Sequence, residues 1–116
     1  MNFTVENRGQ IVIFTLKHEK VDNEISSQFK AQMLILCQPD IDALVIDMAH
    51  VEQIDSSGLG ALLLAHRQLK ENAIPIALVG VTGMVRTMLH ISQTETLFDF
   101  YDTIDEACED LEYEED

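Results

Sequence analysis

Ala43-Leu44-Val45-Ile46-Asp47-Met48-Ala49-His50-Val51-Glu52-Gln53-Ile54-Asp55-Ser56-Ser57-Gly58-Leu59-Gly60-Ala61-Leu62-Leu63-Leu64 is the stretch on which the fold turns. Its first six residues form a short, continuous apolar run, the pattern of a strand covered on both faces. From Leu59 the apolar residues Leu59, Leu62, Leu63 and Leu69 recur at helical spacing, with Arg67, Lys70 and Glu71 on the outward side. Between the two lies Asp55-Ser56-Ser57-Gly58. A serine there stands beside a helix N-terminus, whose free N–H groups and dipole favour an anion such as phosphate. The same residues also suit a plain helix cap.

The flanks supply the rest of an α/β unit. Phe3-Thr4-Val5-Glu6, the turn residues Asn7-Arg8-Gly9-Gln10 and the β-branched run Ile11–Leu16 predict a hairpin. Ile25, Phe29, Met33 and Leu36 predict a first helix, with Asp22 or Asn23 as its cap and Pro39-Asp40 at its end. Ile76-Ala77-Leu78-Val79-Gly80 reads as a second central strand, and Thr82 starts a short helix carrying Val85, Met88 and Leu89. Leu97 through Tyr101 reads as a last strand, and Thr103-Ile104-Asp105-Glu106 as a capping box that opens a terminal helix. The order β-β-α-β-α-β-α-β-α predicts a mixed sheet with crossover helices in one compact domain.

At 116 residues, 47% of them hydrophobic, the chain is long enough for a single core without metal or disulfide support. Its net charge of −14 argues against nucleic acid and anionic membrane surfaces, and for basic partners. Six acidic residues crowd positions 109–116, which are expected to form a solvated tail after a domain spanning 1–108. Cys37 and Cys108 have neither CxxC spacing nor a histidine pattern beside them and are expected to be buried thiols; no metal site is expected. The N-terminus lacks the basic and apolar regions of a signal peptide, and the apolar runs are too short to span a bilayer. A cytoplasmic protein without direct membrane insertion is expected.

Two chemistries are weighed and set aside. Asp47 at a strand end could suggest a receiver phosphoaspartate. That chemistry also needs an acidic pair after the first strand and a late lysine, and Lys17-His18 and Gly80-Val81-Thr82 stand there instead. Ser56 with His18, His50, His66 or His90 could suggest a hydrolase, but Ile54 occupies the first glycine position of a Gly-x-Ser-x-Gly elbow.

The segment Leu44–Leu64 resembles the STAS domain of bacterial anti-anti-sigma factors (anti-sigma factor antagonists). The similarity extends to Val21-Asp22, where that family has a Leu-Asp pair, to Val85–Ile91 and Leu97–Tyr101, and to Thr103–Ala107. It implies a STAS-type mixed β-sheet with about four helices. It further implies a partner switch: the unphosphorylated protein binds an anti-sigma factor with a kinase-like fold, that serine kinase phosphorylates Ser56, and the complex separates until a serine phosphatase resets it. The protein does no catalysis and needs no cofactor on this reading. Asp22, Asp55, Ser57, Gly58 and Gly60 become candidate partner-binding residues, the glycines by allowing close backbone approach and the amides of Ser57, Gly58 and neighbouring residues by receiving the phosphate. Capping remains the other reading for Asp22, Asp55 and Ser57. Similar single-domain STAS proteins also serve lipid-transport ATPase complexes as constitutive subunits, which gives a second expectation. Two positions depart from the family pattern: Lys20 replaces an acidic residue, and Lys17-His18-Glu19 lacks the expected glycine.

Overall fold

The computed structural model describes residues 1–113, which fold around a five-stranded sheet of order β1-β2-β4-β6-β7. Strand β1 (Phe3–Arg8) pairs antiparallel with β2 (Ile11–Leu16), and β4 (Ala43–Asp47), β6 (Ile76–Val79) and β7 (Asp99–Tyr101) run parallel to β2. The hairpin closes through Gly9-Gln10. Gly9 sits at φ +60°, the positive value that a two-residue turn with glycine in its first position requires. In register, Val12 stands beside Leu44 and Phe14 beside Ile46, while Val45 stands beside Ala77.

Alternation along the strands builds two cores. Val12, Phe14, Leu16, Leu44, Ile46 and Leu78 face α1 (Ser26–Leu36), α2 (Ser56–Leu69) and α3 (Gly83–Ile91). Ile11, Ile13, Val45, Ala77 and Val79 face α4 (Ile104–Tyr113), which contributes Ala107, Cys108 and Leu111. Period-two side-chain alternation thus serves three helices on one face and one on the other. Phe14 and Phe29 stack at 5.7 Å between ring centroids and tie β2 to α1.

Four expectations are revised. First, the sheet-and-helix order gains β3 (Lys20–Val21) and β5 (Gln53–Ile54), which pair parallel in a separate two-stranded sheet. Second, α1 begins later than its sequence suggests. The Asp22 carboxylate accepts from Glu24 N at 3.0 Å and the Asp22 carbonyl from Ile25 N and Ser26 N, so Asp22 makes a turn ahead of the helix. Ile25 takes the cap position without a side-chain hydrogen bond. Third, Glu95–Leu97 form a short 3-10 turn, so the last strand is confined to Asp99–Tyr101. Fourth, the boundary at residue 108 falls inside α4, since the helix continues to Tyr113 and Leu111 is buried. Glu109, Asp110 and Glu112 therefore belong to a docked helix, and the rest of the expected tail, 114–116, lies outside the described residues. The Thr103 hydroxyl caps α4 by accepting from Glu106 N at 3.1 Å. Cys37 and Cys108 are buried free thiols, as the sequence suggested. Burial pushes the Cys37 thiol up to about 11.

Candidate functional site

Because β2, β4 and β6 are parallel, the segments that follow them gather at one end of the sheet. The openings of α1, α2 and α3 meet there. The small sheet joins two of these segments: Glu52 N and Gln53 N donate to the Glu19 carbonyl, and Asp55 N to the Val21 carbonyl at 3.1 Å. The Asp22 turn is thereby set against the start of α2. Asp22 and Asp55 line one shallow hollow with Lys20, Val21, Gln53 and Ile54. Thr82 brings in the third segment by donating its hydroxyl to the Val51 carbonyl at 3.2 Å.

Asp55 is the N-cap of α2. Its backbone is extended (φ −102°, ψ −175°), and one carboxylate oxygen accepts from Ser57 N, Gly58 N and the Ser57 hydroxyl at 3.0, 3.0 and 2.6 Å. These bonds, the Ser57 hydroxyl foremost and the Gly58 amide next, hold the Asp55 carboxyl below the usual aspartate range. Asp55 is a carboxylate at neutral pH. Ser57, expected as cap or hydrogen-bonding residue, thus bonds to the cap without being the cap itself.

Ser56 is the first residue of α2 and is exposed. Among the described residues nothing hydrogen-bonds its hydroxyl. The two serines are therefore chemically distinct: one is fastened to Asp55, and the other presents a free hydroxyl at the opening of a helix.

The site glycines divide in the same way. A Cβ on Gly58 would lie 2.6 Å from the Val21 carbonyl oxygen, 2.7 Å from Val21 Cγ1 and 2.9 Å from Ile54 Cγ1. The expectation that Gly58 opens room for a partner's backbone is corrected: its own β3 strand fills that room. Gly60 is half-buried, and its nearest neighbours are Lys30 Cε and Nζ, 3.5 and 3.6 Å from the place of a Cβ. The phosphate expectation is corrected for two of its amides. The Ser57 and Gly58 amides, assigned to it from the sequence, already donate to Asp55.

Reading the sequence missed the position of Lys30. It lies on α1, and only the packing of α1 beside α2 brings it over Gly60. Local spacing carries no signal for such a contact. The histidines weighed with Ser56 have other neighbours. The His18 ring accepts from Asn2 N at 2.7 Å, His50 lies beside Lys17, His18 and Glu19, His66 meets the Phe98 ring edge-on at 6.4 Å, and His90 Nδ1 stands 2.6 Å from Glu95. Asp47, the receiver-like residue, accepts from Ala49 N at 3.0 Å and so turns the chain after β4.

No helix among the described residues is long and apolar enough to cross a membrane. A curated relative, described as a probable sulfate transporter 3.4 of Arabidopsis thaliana, is 34% identical over 74 residues, covering 61% of this chain. That alignment spans 11% of the transporter's length. Among solved structures, the anti-sigma factor antagonist SpoIIAA of Bacillus in its unphosphorylated form superposes with a TM-score of 0.82. It is 20% identical, and the match covers 96% of each chain. An anti-sigma factor antagonist from Mycobacterium paratuberculosis gives a TM-score of 0.83 at 21% identity, over 96% of this chain and 93% of that one. At such identities the likeness is one of fold. The STAS domain profile matches residues 2–107, nearly the whole described chain, and the protein belongs to the STAS domain family.

Proposed function

We propose that this chain is a phospho-regulated binding module that acts as an anti-sigma factor antagonist. In its unphosphorylated state it binds an anti-sigma factor kinase through the end of the sheet where α1, α2 and α3 open. The kinase phosphorylates Ser56, the complex separates, and a serine phosphatase restores the binding form. The protein binds and performs no catalysis on this reading, and its place is the cytoplasm. The observation that carries the proposal is the free, exposed hydroxyl of Ser56 at the first position of α2. The likeness in fold to anti-sigma factor antagonists supports it.

The chemistry of release follows from charge. Phosphorylation adds about −1.5 to −2 charges at neutral pH. They arrive beside the ionised Asp55, on a chain of net charge −14. A dianion held at an interface must be desolvated and repels any acidic group across it. A loss of about 3–4 kcal/mol weakens binding several-hundredfold. Within the site the Asp55 carboxylate keeps the α2 cap in both states, so release needs no refolding of the domain.

A second reading takes only its general direction, membrane transport, from the sulfate transporter relative. On that reading the chain is a constitutive STAS subunit of a membrane lipid-transport ATPase complex, and Ser56 is a surface residue without a switching role.

Affinity capture with wild type, Ser56→Ala and Ser56→Asp as baits separates the two. Partner switching requires a kinase-fold protein that is held by the first two baits and lost by the third. An ATPase subunit held equally by all three supports the transport reading. Equal capture of a kinase-fold partner by Ser56→Ala and Ser56→Asp refutes the switch.

A further inference from the structure

The phosphate that this reading places on Ser56 needs a partner, and the two amides that follow it in α2 are taken. Asp55 accepts from both Ser57 N and Gly58 N. A cation lies close by on the neighbouring helix. Gly60 follows Ser56 by four residues, so both lie on one face of α2, with Cβ positions about 5–6 Å apart. Near the point where a side chain on Gly60 would begin lies the end of Lys30, with Cε at 3.5 Å and Nζ at 3.6 Å from it. Gly60 thus leaves a gap in the α2 surface one turn beyond Ser56, and the end of Lys30 lies over it at ordinary contact distance.

Two further observations fit an anion there. Lys30 is exposed and makes no ion pair among the described residues, whereas Arg8 and Arg86 are engaged with Asp105 and Glu95. Lys17, Lys20, Arg67 and Lys70 are likewise without an ion pair among the described residues, and what distinguishes Lys30 is its place against Gly60, one turn beyond Ser56. Direction also favours the contact. α1 and α2 both follow parallel strands, so they run the same way, and a long helical side chain leans toward its own N-terminus. For Lys30 that is the end where Ser56 lies.

We propose that Lys30 is the internal counter-ion of phosphorylated Ser56, linking α1 to α2 across the gap left by Gly60. The pairing rests on Ser56 as the phosphoacceptor and adds a specific acceptor for the modified side chain. Charge-assisted bonding from the ammonium to the phosphate oxygens stabilises the dianion over the monoanion. It therefore lowers the second ionisation of the phosphate, which lies near pH 6 when unperturbed. Asp55 and Asp22 act in the opposite direction, and Lys20, which lines their hollow, is the other cation in the neighbourhood.

The test installs phosphoserine at position 56 of the full chain during translation and follows its ionisation by phosphorus NMR. This removes any dependence on a cellular kinase. At low salt, Lys30→Gln should raise the second pKa by about 0.3–0.7, a two- to fivefold change in the ionisation constant, as expected for an exposed pair. Lys30→Arg should restore the wild-type value, and the difference should shrink in half-molar salt. Identical titrations of wild type and Lys30→Gln would overturn the proposal. So would a larger shift in Lys20→Gln than in Lys30→Gln. Failure to find phosphate on Ser56 in cells would remove the switch while leaving this titration intact, so the two ideas fail separately.

Discussion

Gly58 and Gly60 sit two residues apart in one helix, yet alanine should move stability in opposite directions at the two sites. Either substitution inside a helix gains roughly 0.8–1 kcal/mol of helix propensity. At Gly60 little opposes that gain, because the nearest atoms to the new Cβ are the flexible end of Lys30 at ordinary contact distance, 3.5 Å and beyond. Gly60→Ala should stabilise by about 0.5–1 kcal/mol. At Gly58 the new methyl meets three atoms closer than 3.0 Å, and the nearest is the Val21 carbonyl oxygen at 2.6 Å. That oxygen also accepts the Asp55 N–H, so it cannot retreat without pulling β3 from the start of α2. Overpacking of this kind typically costs about 1–3 kcal/mol, and a backbone obstacle belongs at the upper end. Set against the propensity gain, Gly58→Ala should destabilise by about 2 kcal/mol. Urea unfolding at equilibrium measures both, with unchanged m-values required for the comparison. In a thermal melt the Gly58 variant should fall by roughly 8 °C, at about 4 °C per kcal/mol for a domain of this size. A Gly58→Ala variant as stable as Gly60→Ala would refute the packing of α2 against β3 described here.

Two further predictions concern the cap. Ser56→Ala should leave stability within about 0.5 kcal/mol of wild type, since no intramolecular bond is lost, whereas Ser57→Ala removes the 2.6 Å bond to Asp55 and should cost about 1 kcal/mol; paired urea titrations read the difference. The Asp55 carboxyl titrates below its unfolded value, so its stabilising contribution is full above about pH 4 and disappears as the pH falls through the lower folded-state pKa. Asp55→Asn keeps a good cap but cannot titrate, so the acid limb of a pH–stability curve should be shallower for the variant; identical limbs would contradict the cap geometry.

The parts of the molecule written in local pattern were legible in the sequence. Ala43–Ile46 and Ile76–Val79 are unbroken apolar runs and prove to be the buried parts of the central strands. Phe29 and Met33 face the core at helical spacing, as do Leu59, Leu62 and Leu69. What escaped was set by contacts between segments. Lys20–Val21 and Gln53–Ile54 are too short to show a period, and they become strands only because each finds the other's backbone. Gly58 looks like an invitation to a partner until Val21, 37 positions earlier, is placed against it. The extent of α4 is a different case. Ala107, Cys108 and Leu111 do repeat at helical spacing, but the density of acidic residues from Glu109 onward reads as solvated chain and masks the apolar stripe. The site was legible as a motif, because an aspartate before two serines and a glycine at a strand–helix junction is a local pattern. Its internal bonding was not, because one carboxylate could serve either serine and only the backbone geometry assigns it to Ser57.

That assignment makes a switch at Ser56 physically workable. A serine that caps its own helix cannot be modified freely, because the modification removes the cap and its contribution of about 1 kcal/mol. Here Asp55 takes the cap, satisfies the Ser57 and Gly58 amides of the first turn and holds the Ser57 hydroxyl. Ser56 is left without a structural duty. Modification of Ser56 can then change the charge of the surface at little expense to the fold, and Gly58 keeps α2 seated on β3 whichever state the serine is in. The proposed function therefore requires two things to vary independently: Ser56→Asp should abolish capture of a kinase-fold partner while its unfolding midpoint stays close to that of Ser56→Ala. If the loss of binding came with an equally large loss of stability, the separation of cap from switch would be wrong, and the loss could be ascribed to an opened α2.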